Sequence, residues 1–253
     1  MKSHRLKHGT IILFLALILM GNANAMELGG TSVDVGVDAA VMNSYVWRGI
    51  LLTDDPVFQP GVTVGCNNLS LNFWANMDLG DANDTKGDIN EFDYTLEYDY
   101  SVRSFNLSAG VIHYTFPNTD FDPTTELFAG IGYEVIGNPS LTVYQDIGEA
   151  EGTYLSLGGG TSVPLGSLSS LDLSASLSFG SSDHNGFYYG SDEAGFTDIL
   201  LSAGVPFGIG DQCEISPSLA FTSVIDSGIR DSYDSGDMNT SNIVYGITLS
   251  AGF

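Results

Sequence analysis

Period-two alternation of apolar and polar residues dominates the chain beyond its first 25 positions. In "VDVGVDAAV", Val33, Val35, Val37, Ala39 and Val41 share one face, opposite Asp34, Gly36, Asp38 and Ala40. "EFDYTLEYDY" sets Phe92, Tyr94, Leu96, Tyr98 and Tyr100 against Glu91, Asp93, Thr95, Glu97 and Asp99. "LDLSASLSF" sets Leu171, Leu173, Ala175, Leu177 and Phe179 against Asp172, Ser174, Ser176 and Ser178. Side chains alternate across a strand, so this pattern predicts strands with one apolar face. No stretch after the leader carries a convincing helical period, and the predicted fold class is all-β.

Twelve strands are predicted, over 31–47, 56–66, 69–78, 90–101, 103–116, 124–135, 140–147, 153–163, 169–179, 196–205, 212–224 and 241–253. Their connections alternate in length. Long ones fall at 48–55, 79–89, 117–123, 148–152, 180–195 and 225–240, and short ones surround "CNNL", "SVR", "IGNPS", "PLGSLS" and "PFGIGDQ". An even strand number with short turns at one end and longer loops at the other is the pattern of a closed antiparallel transmembrane β-barrel. Its short turns would be periplasmic and its loops extracellular. Closure pairs every backbone group, which the hydrocarbon zone demands.

The first 25 residues read as a cleaved secretory signal peptide. "MKSHRLKH" is basic, "IILFLALILM" is apolar but too short to span a bilayer, and "ANA" offers cleavage after Ala25. Residues 26–253 then form a single outer-membrane barrel domain. Lys2, Arg5 and Lys7 leave with the leader. Arg48, Lys86, Arg103 and Arg230 remain against 31 acidic residues. Such a surface cannot neutralise phosphates, so nucleic acid is excluded as a partner. The polar strand faces are acidic or small, which suits a water-lined interior. Cys66 and Cys213 fall three strands apart around the wall, about 14 Å at ~4.8 Å per strand. That is beyond disulfide reach.

"SYVWRGI", "DDPVFQPGVTVG", the strand bearing Trp74, "EFDYTLEYDYS", "GVIHYTFPN" and "TELFAGIGYE" resemble the Gcw_chp family of bacterial outer-membrane proteins over residues 32–135. The resemblance implies an outer-membrane barrel and brings no substrate or catalytic residue. The final strand, "NIVYGITLSAGF", ends on Phe253 with Ala251, Leu249, Ile247 and Tyr245 on its face. It resembles the C-terminal signal that the barrel-insertion machinery reads. An exposed apolar edge strand would otherwise invite aggregation.

Several residues carry the functional expectations. Asp34, Asp38, Asp78, Glu91, Asp93, Glu97, Asp99 and Asp172 are expected to line the lumen or its rim, with Glu126, Glu134, Asp146, Asp198 and Glu214 as further lumen positions. Extending the first strand to residue 48 turns Tyr45 and Trp47 outward with Tyr245, as an aromatic girdle at the lipid interface. Arg48 then turns inward. It either clasps Asp78, Glu91 or Asp93, presents its charge at a constriction, or binds lipid phosphate. Lumenal acids favour cations, so the reading is a porin-like channel for small cationic or neutral solutes in a Gram-negative outer membrane. The alternative is a plugged structural or interaction barrel, and a lipid- or peptide-modifying enzyme is the lesser one. Of the histidines beyond the leader, His113 lies on an apolar strand face and His184 in a Gly/Ser-rich loop, with nothing positive to mark a triad. "DANDTKGDINE" imitates a calcium loop, but its Gly87 and Glu91 are each one place out of register. No cofactor is expected. The partners are membrane lipid, lipopolysaccharide, the insertion machinery and small solutes, and the sequence leaves oligomeric state open.

Overall fold

The computed structural model describes residues 26–28, 31–167, 169–234 and 239–253. The predicted leader, 1–25, lies outside the described residues. Twelve long strands form the wall: β2 (Thr31–Met42), β5 (Val57–Cys66), β6 (Leu69–Asp78), β7 (Ile89–Val102), β8 (Phe105–Thr115), β9 (Thr124–Tyr133), β10 (Ser140–Asp146), β11 (Thr153–Pro164), β12 (Ser170–Gly180), β13 (Gly195–Gly204), β15 (Cys213–Val224) and β16 (Ser241–Gly252). Each pairs antiparallel with its neighbours, and β2 pairs with both β16 and β5, so the sheet closes. Short strands β1 (Met26–Leu28) and β14 (Phe207–Ile209) extend the ladder on β2 and β15.

Phe253 finishes the closure. Its backbone N–H donates to Val35 O at 2.8 Å, and Val35 N–H donates to Phe253 O at 3.0 Å. The last residue is therefore laddered onto the first wall strand, and no edge is left there. Large apolar side chains stand on the outer face: Leu69, Phe73, Leu96, Tyr98, Ile243, Tyr245 and Ile247 are all exposed. An exposed apolar band of this extent needs an apolar solvent, which a bilayer supplies. The opposite face carries small and polar groups. Ser174 and Ser202 hydroxyls meet at 2.7 Å, and Ser162 and Ser170 donate to Asp172 Oδ1 at 2.6 and 2.8 Å.

The connections divide by end. Segments 67–68, 103–104, 134–139, 165–167 with 169, and 205–212 lie at the turn end. Segments 43–56, 79–88, 116–123, 147–152, 181–194, 225–234 and 239–240 lie at the loop end. Cys66 and Cys213 are free among the described residues and sit on β5 and β15, three strands apart through β2 and β16.

The first predicted strand is corrected. It stops at Met42, not at 47. Asn43 takes over the end of the ladder: its N–H donates to Tyr245 O at 2.9 Å, and its Oδ1 accepts from Tyr245 N at 2.6 Å. The chain then bends away and forms a separate hairpin of β3 (Tyr45–Trp47) and β4 (Ile50–Thr53). Two helices that the alternation did not predict occupy loops. Helix Ser182–Tyr189 is capped by Ser181, whose side chain accepts from His184 N, and ends at Gly190 in the left-handed region. Helix Ser227–Asp234 is capped by Asp226, whose Oδ1 accepts from Gly228 N and Ile229 N.

Candidate functional site: an inward-folded hairpin and its carboxylate cage

The hairpin is made by its turn. Trp47 pairs with Ile50 across Arg48 and Gly49, whose φ values are 49° and 83°. Two consecutive positive φ values are what a two-residue type I′ hairpin turn requires. Gly49 is further constrained by its surroundings, because a Cβ there would stand 2.9 Å from Asp198 Cβ and 3.4 Å from Val224 Cγ2. The turn therefore presses directly on the inner wall.

Its side chains reach around the interior. Tyr45 meets Trp74 of β6, with ring centroids 5.6 Å apart, and bonds to Glu91 of β7. Trp47 meets Tyr114 of β8 at 6.3 Å and Tyr188 of the 182–189 helix at 5.0 Å. Tyr45 and Trp47 are thus inside the barrel, and their expected place in an outer aromatic girdle is corrected. The strand they were read as continuing had already ended, so the parity count from Val33 does not extend to them. Tyr245 does stand on the outer wall, 58% exposed.

Arg48 lies at the centre. Its Nη1 and Nη2 donate to the two oxygens of Glu126 on β9, each at 2.7 Å, in a fork-to-carboxylate pair. The side chains are only 8% and 2% exposed. The guanidinium carbon also stands over three rings: Trp47 at 4.3 Å, Tyr144 at 4.7 Å and Tyr154 at 4.2 Å. Desolvated cation–π contacts of this kind are worth up to ~2 kcal/mol each. Tyr114 OH donates to Glu126 Oε2 at 2.8 Å, so the carboxylate has three donors. The expected partners Asp78, Glu91 and Asp93 are not the ones that hold Arg48. Asp78 is held by Thr53 Oγ1 at 3.1 Å, Asn76 Nδ2 at 3.2 Å, Asn83 Nδ2 at 3.3 Å and Thr85 Oγ1 at 2.5 Å. The calcium-like segment is therefore built around Asp78, with the Asn83 amide spent as a donor.

Other inner carboxylates at this level are also tied. Asp146 accepts from Thr124 Oγ1 and Gly148 N, and Asp198 from Tyr154 OH at 2.9 Å and Thr197 Oγ1 at 3.0 Å. The two helices complete the filling. Ile50, Tyr189, Val224, Ile229 and Tyr233 form one buried cluster. Tyr189 OH donates to Arg48 O, and Tyr233 OH accepts from Leu51 N at 3.2 Å. His184 is 1% exposed, stacks on Tyr154 at 5.1 Å, and pairs Nδ1 with Asn185 Oδ1 at 3.1 Å. Among the described residues, that ring hydrogen-bonds no hydroxyl nucleophile or carboxylate in the manner of a triad. His113 is on the outer face, bonded to Thr125 Oγ1.

Nearer the turn end, Asp34, Asp38, Glu97, Asp99 and Asp172 share the polar parity of their strands, and all stay half-buried or exposed. Asp38 lies across from Gly61, whose missing side chain makes room for its carboxylate. Glu91 and Asp93 belong to the filled level, on β7 beside Tyr45. The hairpin had one signal in the sequence, "RG" between two short apolar runs, a variant of the Asn-Gly hairpin pattern, whereas Glu126 was already an expected inward position of the strand 124–135.

Among solved structures, the chain is similar to the NanC porin, with 11% identity over 86% of this chain and 98% of that one, and a TM-score of 0.53. It also matches an outer membrane channel from Pseudomonas putida F1, with 11% identity over 92% and 98% and a TM-score of 0.47. No family model matches the chain. No curated protein matches it. The likeness to the NanC porin bears on the fold, an outer-membrane β-barrel.

Proposed function

We propose that this barrel passes small cationic or neutral solutes across the outer membrane through a narrow, acidic, water-lined lumen. The observation that carries this reading is the imbalance of charge on the inner face. Arg48, the buried cation there, is neutralised by Glu126, whereas Asp34, Asp38, Glu97, Asp99 and Asp172 keep contact with solvent. A ring of such carboxylates attracts cations and repels anions. The inward hairpin narrows the loop end, so passage is restricted to small solutes. The leader, the outer apolar band and the resemblance of residues 32–135 to Gcw_chp proteins support an outer-membrane location, with lipid and lipopolysaccharide around it. Phe253, laddered to Val35, is proposed as the signal read by the insertion machinery.

The filled level around Arg48 favours a second reading, a barrel that is shut and serves the envelope as a scaffold. Planar-bilayer recording on the refolded full chain separates the two. The channel reading expects cation-selective steps. It also expects Asp34→Asn, Asp38→Asn, Glu97→Gln and Asp99→Asn together to reduce the cation-to-anion permeability ratio toward unity. The effect should be strongest at low salt, where screening is weak. Silence under all voltages, from pH 7.5 down to 4, would establish the scaffold instead.

A further inference from the structure

One buried titratable group has no part in holding the cage. Asn185 Nδ2 donates to Gly180 O at 3.2 Å and Glu193 O at 2.8 Å, which turns its Oδ1 toward His184 Nδ1. Nδ1 is therefore the protonated nitrogen. The other, Nε2, is buried and has no hydrogen-bond partner among the described residues. A proton arriving at Nε2 would create an N–H and a charge with no acceptor, and burying such a group is costly. The surroundings add to the cost. Tyr154 of β11, against which His184 stacks, also carries Arg48 over its ring. Tyr188 and Tyr189 of the same helix close the remaining sides at 4.9 and 6.0 Å. The one carboxylate that acts favourably on the ring is Asp146, at the end of β10, and it already accepts from Thr124 and Gly148. Asp198 of β13 faces the far end of Tyr154, and Asp183 precedes His184 in the helix.

The element that carries His184 is a loop segment, not a wall strand, and it contributes no rung to the sheet. We propose that helix Ser182–Tyr189 and the hairpin it touches form an acid-sensitive stopper, which protonation of His184 beside Arg48 drives out of the barrel. Tyr189, bonded to the Arg48 carbonyl, couples the two parts. Burial first, and then the Arg48 charge, pull the His184 imidazole down from 6.5 to about 4. The sign follows: a depressed histidine stabilises the seated state fully above pH 6.5, and that stability is lost as pH falls toward 4. The released-to-seated ratio then rises about sixfold per pH unit across this window, and about 70-fold from pH 7.5 to 4.5.

Only the transport consequence rests on the channel reading, so the test has two readouts. Trp74→Phe leaves Trp47 as the sole tryptophan, since the chain has two. Acrylamide quenching of Trp47 in the full refolded chain should increase between pH 6.5 and 4. The increase should vanish in His184→Gln and shrink in Asn185→Asp, which sets a carboxylate against Nδ1. Folding of each variant is checked by heat-modifiable gel migration. Quenching that is flat with pH, or an unchanged increase in both variants, overturns the stopper. Conductance recorded over the same pH range separates the two claims. Current without any Trp47 response keeps the channel and removes the stopper, while a Trp47 response without current keeps the stopper and removes the channel.

Discussion

The two halves of this barrel interior share one wall and one alphabet of carboxylates, yet treat them oppositely. At the loop end, Asp78, Glu126, Asp146 and Asp198 are each no more than 3% exposed. Arg48 and Thr53 of the hairpin tie down Glu126 and Asp78, and hydroxyls of the wall residues Thr124 and Tyr154 hold Asp146 and Asp198. At the turn end, Asp34, Asp38, Glu97, Asp99 and Asp172 stay half-buried or exposed, and Asp172 accepts from two serine hydroxyls. The arginines repeat the contrast. Arg48 and Arg103 both sit in hairpin turns at positive φ, 49° and 56°, but Arg48 is enclosed and Arg103 is exposed. Identical local chemistry becomes a structural brace or a hydrated charge according to what folds over it.

The largest test of this contrast removes one partner of the enclosed pair. Glu126→Ala leaves a buried guanidinium without its carboxylate and should cost about 3–5 kcal/mol. Urea unfolding in micelles, followed by tryptophan emission, reads the loss. Arg48→Met combined with Glu126→Leu should cost far less than either single change, because no charge is left unpaired. Asp172→Ala, at the other end, should stay within about 0.5 kcal/mol. If Glu126→Ala matched Asp172→Ala, the distinction between the halves would collapse.

A backbone comparison follows. Gly49→Ala meets both a positive φ and the Asp198 side chain and should cost about 3 kcal/mol. Gly210, at φ 68° in the 205–212 turn, has open space around it, so Gly210→Ala should cost only about 1 kcal/mol by the same unfolding measurement. A similar loss, about 1 kcal/mol, is expected for Tyr189→Phe, which deletes one hydrogen bond to the hairpin turn. Smallest of all, Arg103→Ala should move the urea midpoint within the error of a surface substitution, about 0.5 kcal/mol.

The wall was legible because period-two alternation is a local property. Each strand needs only its own residues to declare an apolar face, and eleven of the twelve predicted strands match the observed ones to within a few residues. The helix Ser182–Tyr189 was not legible, because eight residues held by a Ser181 cap and a Gly190 terminator carry no apolar period. The misplacement of Tyr45 and Trp47 had a sharper cause. Parity propagates along a strand without error only while the strand lasts, and Asn43 ends it by taking the last rungs of the ladder into its own side chain.

The sequence by itself determined the twelve-strand wall, its polar and apolar faces, and the scarcity of basic groups that makes Arg48 conspicuous. Only the tertiary structure decided where Arg48 goes. Its partner Glu126 is 78 positions away, and they meet because barrel closure brings β9, β10 and β11 around a hairpin that folds inward. Alternation encodes which face a residue takes on its own strand. It holds no information on which loop will fill the space that closure encloses, since that depends on the shape and charge of walls contributed by the rest of the chain.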